Sequence, residues 1–384
     1  MLKIIRTATV PLSLDLLLEG QLKYLSQFHE VVAVSGSDHH LEKVAQREGV
    51  RSVPLAMERA INLKKDVIAL IRLYFLFKKE KPQIVHSITP KAGLLSMIAA
   101  RLAGVPIRIH TFTGLIFPYR TGMLHFILKQ MDRITCAMAT HIIPEGEGVK
   151  AQLQINKITN KTLQVLANGN VNGVNTAFFS PDAVLSSREE LRELYSYNNT
   201  DFVFVFVGRL VVDKGIVELI DAFLNVSKLH SKVHLLLVGP FEPNLDPLPE
   251  STIHAIEIDS RIIHVGFKED IRPFLKMSDA LILPSYREGF PNVVLQAGAM
   301  ELPCVVTDIP GCNEVIETNI NGLVVPLKDK KGLQLAMENL IKDPVFLYQL
   351  GQQARVKICA KYTNAIVWNA LLEFYKKCID EKRI

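Results

Sequence analysis

No window of 18 or more residues in the 384-residue chain stays apolar and uncharged, so no single helix of it is expected to span a bilayer. Cysteine is scarce. Cys136, Cys304, Cys312, Cys359 and Cys378 form no C-x-x-C pair, and their odd number argues against a complete intrachain disulfide framework. A reducing, cytoplasmic location is expected. The first nine residues alternate charge with β-branched side chains and run into Pro11. They lack the basic-then-apolar layout of a signal peptide and read as a first strand. D-x-D is absent, and Cys and His lack metal-ligand spacing, so no bound metal and no cofactor are called for. The basic residues are not interleaved with aromatics and form no reading motif, which argues against nucleic acid as a partner.

What is present is an α/β pattern. The chain is 48% hydrophobic and 22% charged, as in a soluble globular protein, and its length fits two domains. Short β-branched runs alternate with longer amphipathic stretches from end to end, the mark of βαβ units and parallel sheets. Strands are expected at 2–8, 31–35, 51–55, 83–88, 106–112 and 141–143 in the first half. In the second half they are expected at 201–207, 233–238, 262–265, 280–283, 304–307 and 323–325. Runs 201–207 and 233–238 are continuously apolar, as strands buried on both faces are, and end in Gly208 and Gly239. The segment 167–175, dense in Asn and Gly, reads as a hinge. The expectation is two Rossmann-like domains, 1–170 and 171–363, with residues 364–384 packing back on the first.

Charge is unevenly shared. Residues 1–180 carry 22 basic against 12 acidic side chains, a balance of +10, and the remainder carries 22 against 27. Either the first half faces an anionic surface or ligand, or these are ordinary solvated charges.

Two segments carry the chemistry. Val207-Gly208-Arg209-Leu210-Val211-Val212-Asp213-Lys214-Gly215 follows a buried strand and leads into a helix, where open α/β sheets bind ligands. It matches neither G-x-G-x-x-G nor G-x-x-x-x-G-K, so the usual fingerprints of hydride and phosphoryl transfer are missing. What it offers is the guanidinium of Arg209 and the ammonium of Lys214, suited to a diphosphate that gains charge as its bond to sugar breaks. The second segment, Pro284 to Met300, also follows a strand. Gly289 admits a close ligand, Pro291 favours a first helical turn, and the free N–H groups of that turn suit an anion. Asn292 and Gln296 share a helix face, while Val293 largely looks elsewhere. Glu288 suits sugar hydroxyls and Gln296 suits ribose, although each taken alone also fits a capping Glu and a solvent-facing Gln.

Arg209 and Lys214, with Glu288 about 75 residues further on, resemble family 4 retaining glycosyltransferases of GT-B fold. The resemblance implies that Arg209 and Lys214 contact the donor diphosphate, and that Glu288 and the position eight residues later engage sugar and ribose. In the family that later position is a second glutamate, whereas here it is Gln296. A neutral amide loses the charge-assisted hydrogen bond, which is roughly twice as strong as a neutral one. Gly208, Gly266, Gly289, Phe290, Asn292 and Val293 complete the expected donor set.

In the first half, 86–95 and 108–114 are similar to capsular-polysaccharide and lipid-linked-oligosaccharide members, some of which transfer N-acetylgalactosamine to an undecaprenyl-diphosphate-linked sugar. Related enzymes carry a His just before the glycine matching Gly114; this chain has Thr113 there and His110 three residues earlier. Alternate strand residues face opposite sides, so His110 does not simply replace Thr113, and a structural and a site role for it both stay open. The expected acceptor side comprises Gly20, His86, Lys91 and Gly114, with Lys91 meeting either phosphate or solvent. Stretches 61–81 and 114–133 place apolar residues between cations, as in an interfacial helix over anionic lipid or in a packed core.

The leading expectation is retaining transfer of a hexose or N-acetylhexosamine, GalNAc favoured, from a UDP-sugar to an undecaprenyl-diphosphate-linked glycan at the inner membrane surface. The alternatives are a nucleotide-sugar epimerase and a nucleotide-sugar-binding protein that has lost catalysis, the latter pointed to by Gln296 and Thr113.

Overall fold

The structure, a computed structural model, describes residues 1–58, 60–243 and 246–383. The chain divides into two units, 1–173 with 364–384 and 174–363, so the first boundary lies three residues beyond the one the sequence suggested. In the first unit β1 (Lys3–Thr7), β2 (Glu30–Ser35), β3 (Arg51–Pro54), β4 (Ile84–Ile88), β5 (Ile107–Phe112) and β6 (His141–Pro144) form one parallel sheet in the order β3-β2-β1-β4-β5-β6. In the second unit β7 (Phe202–Val207), β8 (Val233–Val238), β9 (Ile262–His264), β10 (Ala280–Leu283), β11 (Cys304–Thr307) and β12 (Gly322–Val325) are also parallel, in the order β12-β11-β10-β7-β8-β9. Both orders are doubly wound. The strand direction of travel reverses between β1 and β4 and between β7 and β10, which is where such sheets open a crevice for ligands.

The β-branched runs became strands because their residues are buried on both faces. Val203, Phe204, Val205 and Phe206 of β7 and Leu235, Leu236 and Leu237 of β8 are fully enclosed. Each fully buried side chain of this size contributes about 1.5–3 kcal/mol.

The hinge stretch is closed by Asn170, whose Oδ1 accepts from the backbone N–H groups of Asn172 and Gly173 at 2.9 and 2.6 Å. The last helix, Asn364–Lys382, belongs to the first unit. Leu371, Leu372, Phe374, Tyr375 and Cys378 enter the core formed by Ile4, Ala8, Leu14 and Ile109. Trp368 packs on Gly20 and its indole N–H donates to Asn172 Oδ1 at 2.7 Å.

A directed hydrogen-bond chain joins this helix to the sheet. Arg6, buried in β1, donates from Nη1 to the Tyr375 hydroxyl at 3.0 Å. That hydroxyl therefore donates onward to His86 Nδ1 at 2.6 Å, and His86 Nε2–H donates to Thr111 Oγ1 at 2.7 Å. The chain requires a neutral imidazole. Burial, with the charge of Arg6 next, holds His86 well below its ordinary pKa.

The two stretches of mixed apolar and basic residues form helices Leu63–Glu80 and Gly122–Met138, both packed against helix Pro90–Ala103. Leu63–Glu80 buries only Ala69, Leu73 and Phe77, a narrow stripe at every fourth residue, and leaves Leu63 (78%), Val67, Ile68, Ile71 and Phe75 (64%) exposed. Gly122–Met138 buries Thr135 and Cys136 and exposes Met123 (73%), Leu124, Phe126, Ile127 and Ile134. Leu70, Tyr74 and Leu76 of the first helix and Leu128 and Met138 of the second also pack, half-buried, against the core that includes Leu73, Phe77 and Cys136, so core packing accounts for part of their apolar residues and leaves the exposed ones unexplained. Among the described residues no helix is long and apolar enough to cross a membrane.

Replacing Tyr375 by Phe leaves Arg6 without one acceptor and His86 without its donor. We expect a loss of about 1–3 kcal/mol, read as a lower urea midpoint for the transition of the first unit.

Candidate active site

At the C-terminal edge of the second sheet, backbone meets backbone. Gly208 follows β7 and Gly239, which has φ +144, follows β8, and a Cβ on Gly239 would lie 1.8 Å from the Gly208 oxygen. Gly215, φ +70, caps the turn Val212–Lys214, and a Cβ there would lie 2.0 Å from the Pro284 oxygen. Both positions require glycine for conformation and for space. The consequence is that Lys214 is delivered beside the loop that follows β10. Tyr286 N donates to Asp213 O at 2.8 Å, and Arg287 pairs with the Asp213 carboxylate at 2.6 Å, so the two loops are locked together.

Within this lock Lys214 Nζ meets Glu288 Oε1 at 2.5 Å, both side chains mostly buried. Arg209 pairs with Glu242 at 2.6 Å and is more open, with 41% of its side chain exposed. Gly289 lies against Gly311, and Phe290 is buried against Tyr362, with ring centroids 5.6 Å apart. Helix Asn292–Ala299 then starts after Pro291. Asn292, Val293 and Gln296 are half-exposed at its start, and no hydrogen bond to the Gln296 side chain occurs among the described residues. Gly266 follows β9, and its carbonyl accepts from Gly239 N at 2.8 Å. Arg209, Lys214, Glu288, Asn292 and Gln296 are therefore gathered at one end of one sheet, at its switch point.

Two partners escaped the sequence reading. Glu242 stands in a loop after β8 whose residues carry no pattern, and the Asp213–Arg287 pair joins segments 74 residues apart. Among the described residues no group of three or more His, Cys, Asp or Glu is placed to hold a metal ion.

The first unit corrects several expectations. His110 is not at a surface. Its ring is covered by Gly93, where a Cβ would lie 2.3 Å from it, and Nδ1 bonds Ser87 Oγ at 2.8 Å. Burial pushes its pKa down to about 3. His110 thus fills space between sheet and helix, and the structural alternative holds. His86 is enclosed in the Tyr375–Thr111 chain described above, so it faces no acceptor. Lys91, expected to meet phosphate or solvent, is buried and paired with Asp66 at 2.7 Å. Gly20 serves as the seat of Trp368. Thr113 and Gly114 do sit half-exposed just past the end of β5. At the β1/β4 switch point Thr9 and Thr89 bond through their hydroxyls at 2.9 Å, and Thr9 Oγ1 also accepts from Ala92 N at 3.1 Å. The Thr-Pro pair that ends β4 was the available signal for this position.

Comparison with known proteins agrees with this layout. The family model for glycosyl transferases group 1 matches residues 187–357, and that for glycosyl transferase 4-like proteins matches 16–145. The chain is 32% identical over 381 residues to the capsular polysaccharide biosynthesis glycosyltransferase CapM of Staphylococcus aureus, covering 99% of this chain and 98% of that one. The chain belongs to the group 1 glycosyltransferases. The enzyme is also 30% identical to the UDP-Gal:alpha-D-GlcNAc-diphosphoundecaprenol alpha-1,3-galactosyltransferase of Escherichia coli, over 78% of this chain and 76% of that one. Its fold matches that of Anabaena HepE, solved with UDP-glucose, at a TM-score of 0.81 with 16% identity, covering 98% and 100% of the two chains. This is the GT-B fold. The glycosyltransferase reading stands, and the epimerase alternative falls away.

Buried neutral histidines make the enzyme acid-sensitive. In the unfolded chain His110 takes up a proton as pH falls through about 6.5, whereas in the folded state it does so only near 3. Between those values the unfolded state binds more protons, so stability falls with pH by about 1.4 kcal/mol per unit for this residue. Urea midpoints measured from pH 7 to pH 4 should decline less steeply in His110→Gln than in the parent.

Proposed function

We propose that the enzyme transfers a hexose or N-acetylhexosamine, GalNAc favoured, from a UDP-sugar to an undecaprenyl-diphosphate-linked glycan, with retention of anomeric configuration, in the synthesis of a surface polysaccharide. It acts on the inner face of the cytoplasmic membrane. The observation that carries the reading is the Lys214–Glu288 contact at the β7/β10 switch point, with Arg209 on the same edge. The names of the E. coli and S. aureus relatives support the substrate class. Support for the membrane location comes from the exposed apolar residues of helices Leu63–Glu80 and Gly122–Met138.

The bond between the anomeric carbon and the diphosphate breaks, and negative charge grows on the departing oxygen. Arg209 and Lys214 neutralise it, an interaction stronger in the transition state than in the ground state. Glu288 orients the sugar hydroxyls and Gln296 the ribose. Thr113 and the Gly114 backbone position the acceptor. The acceptor hydroxyl forms the new bond on the face that the leaving group vacates, and its proton passes to the leaving diphosphate oxygen. No divalent metal takes part, because two cationic side chains supply that charge.

Lys214→Ala should lower kcat by about 10²–10³, the usual cost of removing one such donor. Near-normal turnover would contradict the assignment. Gln296→Glu should tighten binding of the UDP-sugar by about tenfold if ribose is held there, since the acceptor becomes charged. Chelation with EDTA should leave turnover unchanged. Mass spectrometry of products from a lipid-diphosphate acceptor, offered several UDP-sugars, identifies the donor. Donor binding without turnover on any acceptor would instead favour a protein that has lost catalysis.

A further inference from the structure

A second charged site lies in the first unit, at the opposite end of the sheet from Thr113. Arg108 at the start of β5 and Thr140 and His141 at the start of β6 border an open cavity of about 510 Å³, together with Arg101, Lys161, Glu381 and Lys382. Thr113 and Gly114 follow the other end of β5, about 20 Å away at 3.3 Å per strand residue.

Part of this cluster has a structural explanation. The carbonyls at the C-terminus of helix Gly122–Met138 need partners. Arg108 Nε donates to Met138 O at 2.8 Å, and Lys161 Nζ donates to Cys136 O at 2.6 Å and Ala137 O at 3.2 Å. These two cations cap the helix. Arg101, in the last turn of helix Pro90–Ala103, and Lys382, in the last turn of helix Asn364–Lys382, face the ends of their own helices, but among the described residues neither side chain donates a hydrogen bond to a carbonyl. Among the described residues none of the four cations forms an ion pair. Glu381, the one acidic side chain lining the cavity, pairs with His141 at 3.4 Å. Four positive charges stand against one carboxylate and three helix ends worth about half a charge each, so a surplus of about one and a half positive charges remains. The crowding is felt: burial first, then Arg101, lowers the pKa of Arg108, and burial with Arg108 and Arg101 lowers that of Lys161.

Two exposed apolar side chains stand close in sequence to residues lining the cavity. Leu102, next to Arg101, is 62% exposed, and Ile134 is exposed one turn before the carbonyls that Lys161 caps. One helix therefore carries an exposed apolar stripe, Met123 to Ile134, and ends at the cationic cavity. Phosphate beside hydrocarbon is the chemistry of a lipid headgroup region.

We propose that this cavity binds the phosphate of an anionic bilayer lipid, giving the first unit a membrane foothold apart from the acceptor site. The proposal deepens, and rests on, the reading of the enzyme as one that works at a membrane. The site is not used in transfer itself. Its effect is on how long the enzyme stays on the surface.

The test is co-sedimentation with phosphatidylcholine vesicles, with and without phosphatidylglycerol. Arg101→Glu with Lys382→Glu should reduce partitioning onto phosphatidylglycerol vesicles by about 30-fold or more, as removal of two surface cations implies. It should leave binding to phosphatidylcholine alone unchanged, and also turnover of a water-soluble short-chain acceptor. Lys228→Glu with Lys232→Glu, an equal reversal in the second unit, should have little effect. Wild-type partitioning in the first variant, or an equal loss in the second, overturns the proposal. So does a rise in Tm with inorganic phosphate that the first variant abolishes while its vesicle binding stays intact, since the site would then serve free phosphate. Arg101→Gln with Lys382→Gln gives the same readout, with a smaller loss, should the reversed protein fail to fold. Absence of turnover on the soluble acceptor in the unaltered enzyme would count against the proposed function and not against this site.

Discussion

Gly215 lies with positive φ against the Pro284 carbonyl, and that contact decides where Lys214 goes. With no side chain between them, the turn after β7 and the loop after β10 close to hydrogen-bonding distance, and Asp213 joins both Tyr286 and Arg287. Lys214 is then left with Glu288 as its neighbour at 2.5 Å. A larger residue at 215 would push the turn away from β10 and separate the pair. The meeting of Lys214 and Glu288 is thus set by a steric condition on two main chains, and side-chain electrostatics operate inside a frame already fixed.

The first unit solves a different problem, that of a charged residue inside a sheet. Arg6 is buried in β1 and meets the neutral acceptors Gln21 and Tyr375. Burying a charge is costly unless its hydrogen bonds are made. Tyr375 supplies one of them from the last helix of the chain, so residues 364–384 complete a core that begins at residue 3. That is why the chain returns to the unit in which it started. The same hydroxyl fixes the tautomer of His86, which in turn donates to Thr111, and a residue of the final helix thereby sets the proton arrangement across β1, β4 and β5.

Legibility differed by kind of feature. Strands were readable because hydrophobic periodicity reports burial directly, and the runs before Gly208 and Gly239 needed no further information. The placement of Arg209, Lys214, Glu288 and Gln296 at one sheet edge was readable because each stands just after a strand or in the first turns of a helix, where parallel sheets expose polar groups. His86 and Lys91 were misplaced, and the two roles of His110 were left undecided, for a physical reason. A polar residue in a strand looks the same in sequence whether it faces a ligand or a buried partner, and the partners Tyr375, Ser87 and Asp66 are 289, 23 and 25 residues away. Glu242 was invisible on similar grounds, since a lone acid in an irregular loop has no period to betray its direction. For stretch 61–81 the sequence left an interfacial helix and a packed core both open, and only the structure shows that Phe75 and Val67 lie outside the core.

The charges at this edge bear on the departure from the family pattern at position 296. Arg209 with Glu242, Lys214 with Glu288 and Arg287 with Asp213 are three pairs, each of zero net charge. A diphosphate entering this edge competes with Glu242 for Arg209 and with Glu288 for Lys214. A glutamate at position 296 would add a negative charge to that balance, while Gln296 adds none and keeps both a donor and an acceptor. On the proposed reading, the amide gives up a strong hydrogen bond to ribose and in return removes one source of repulsion for the phosphates. The two effects have opposite signs and act on different parts of one ligand. The substitution therefore shifts the balance of donor binding from the nucleoside toward the diphosphate, and leaves the groups that act on the breaking bond as they are.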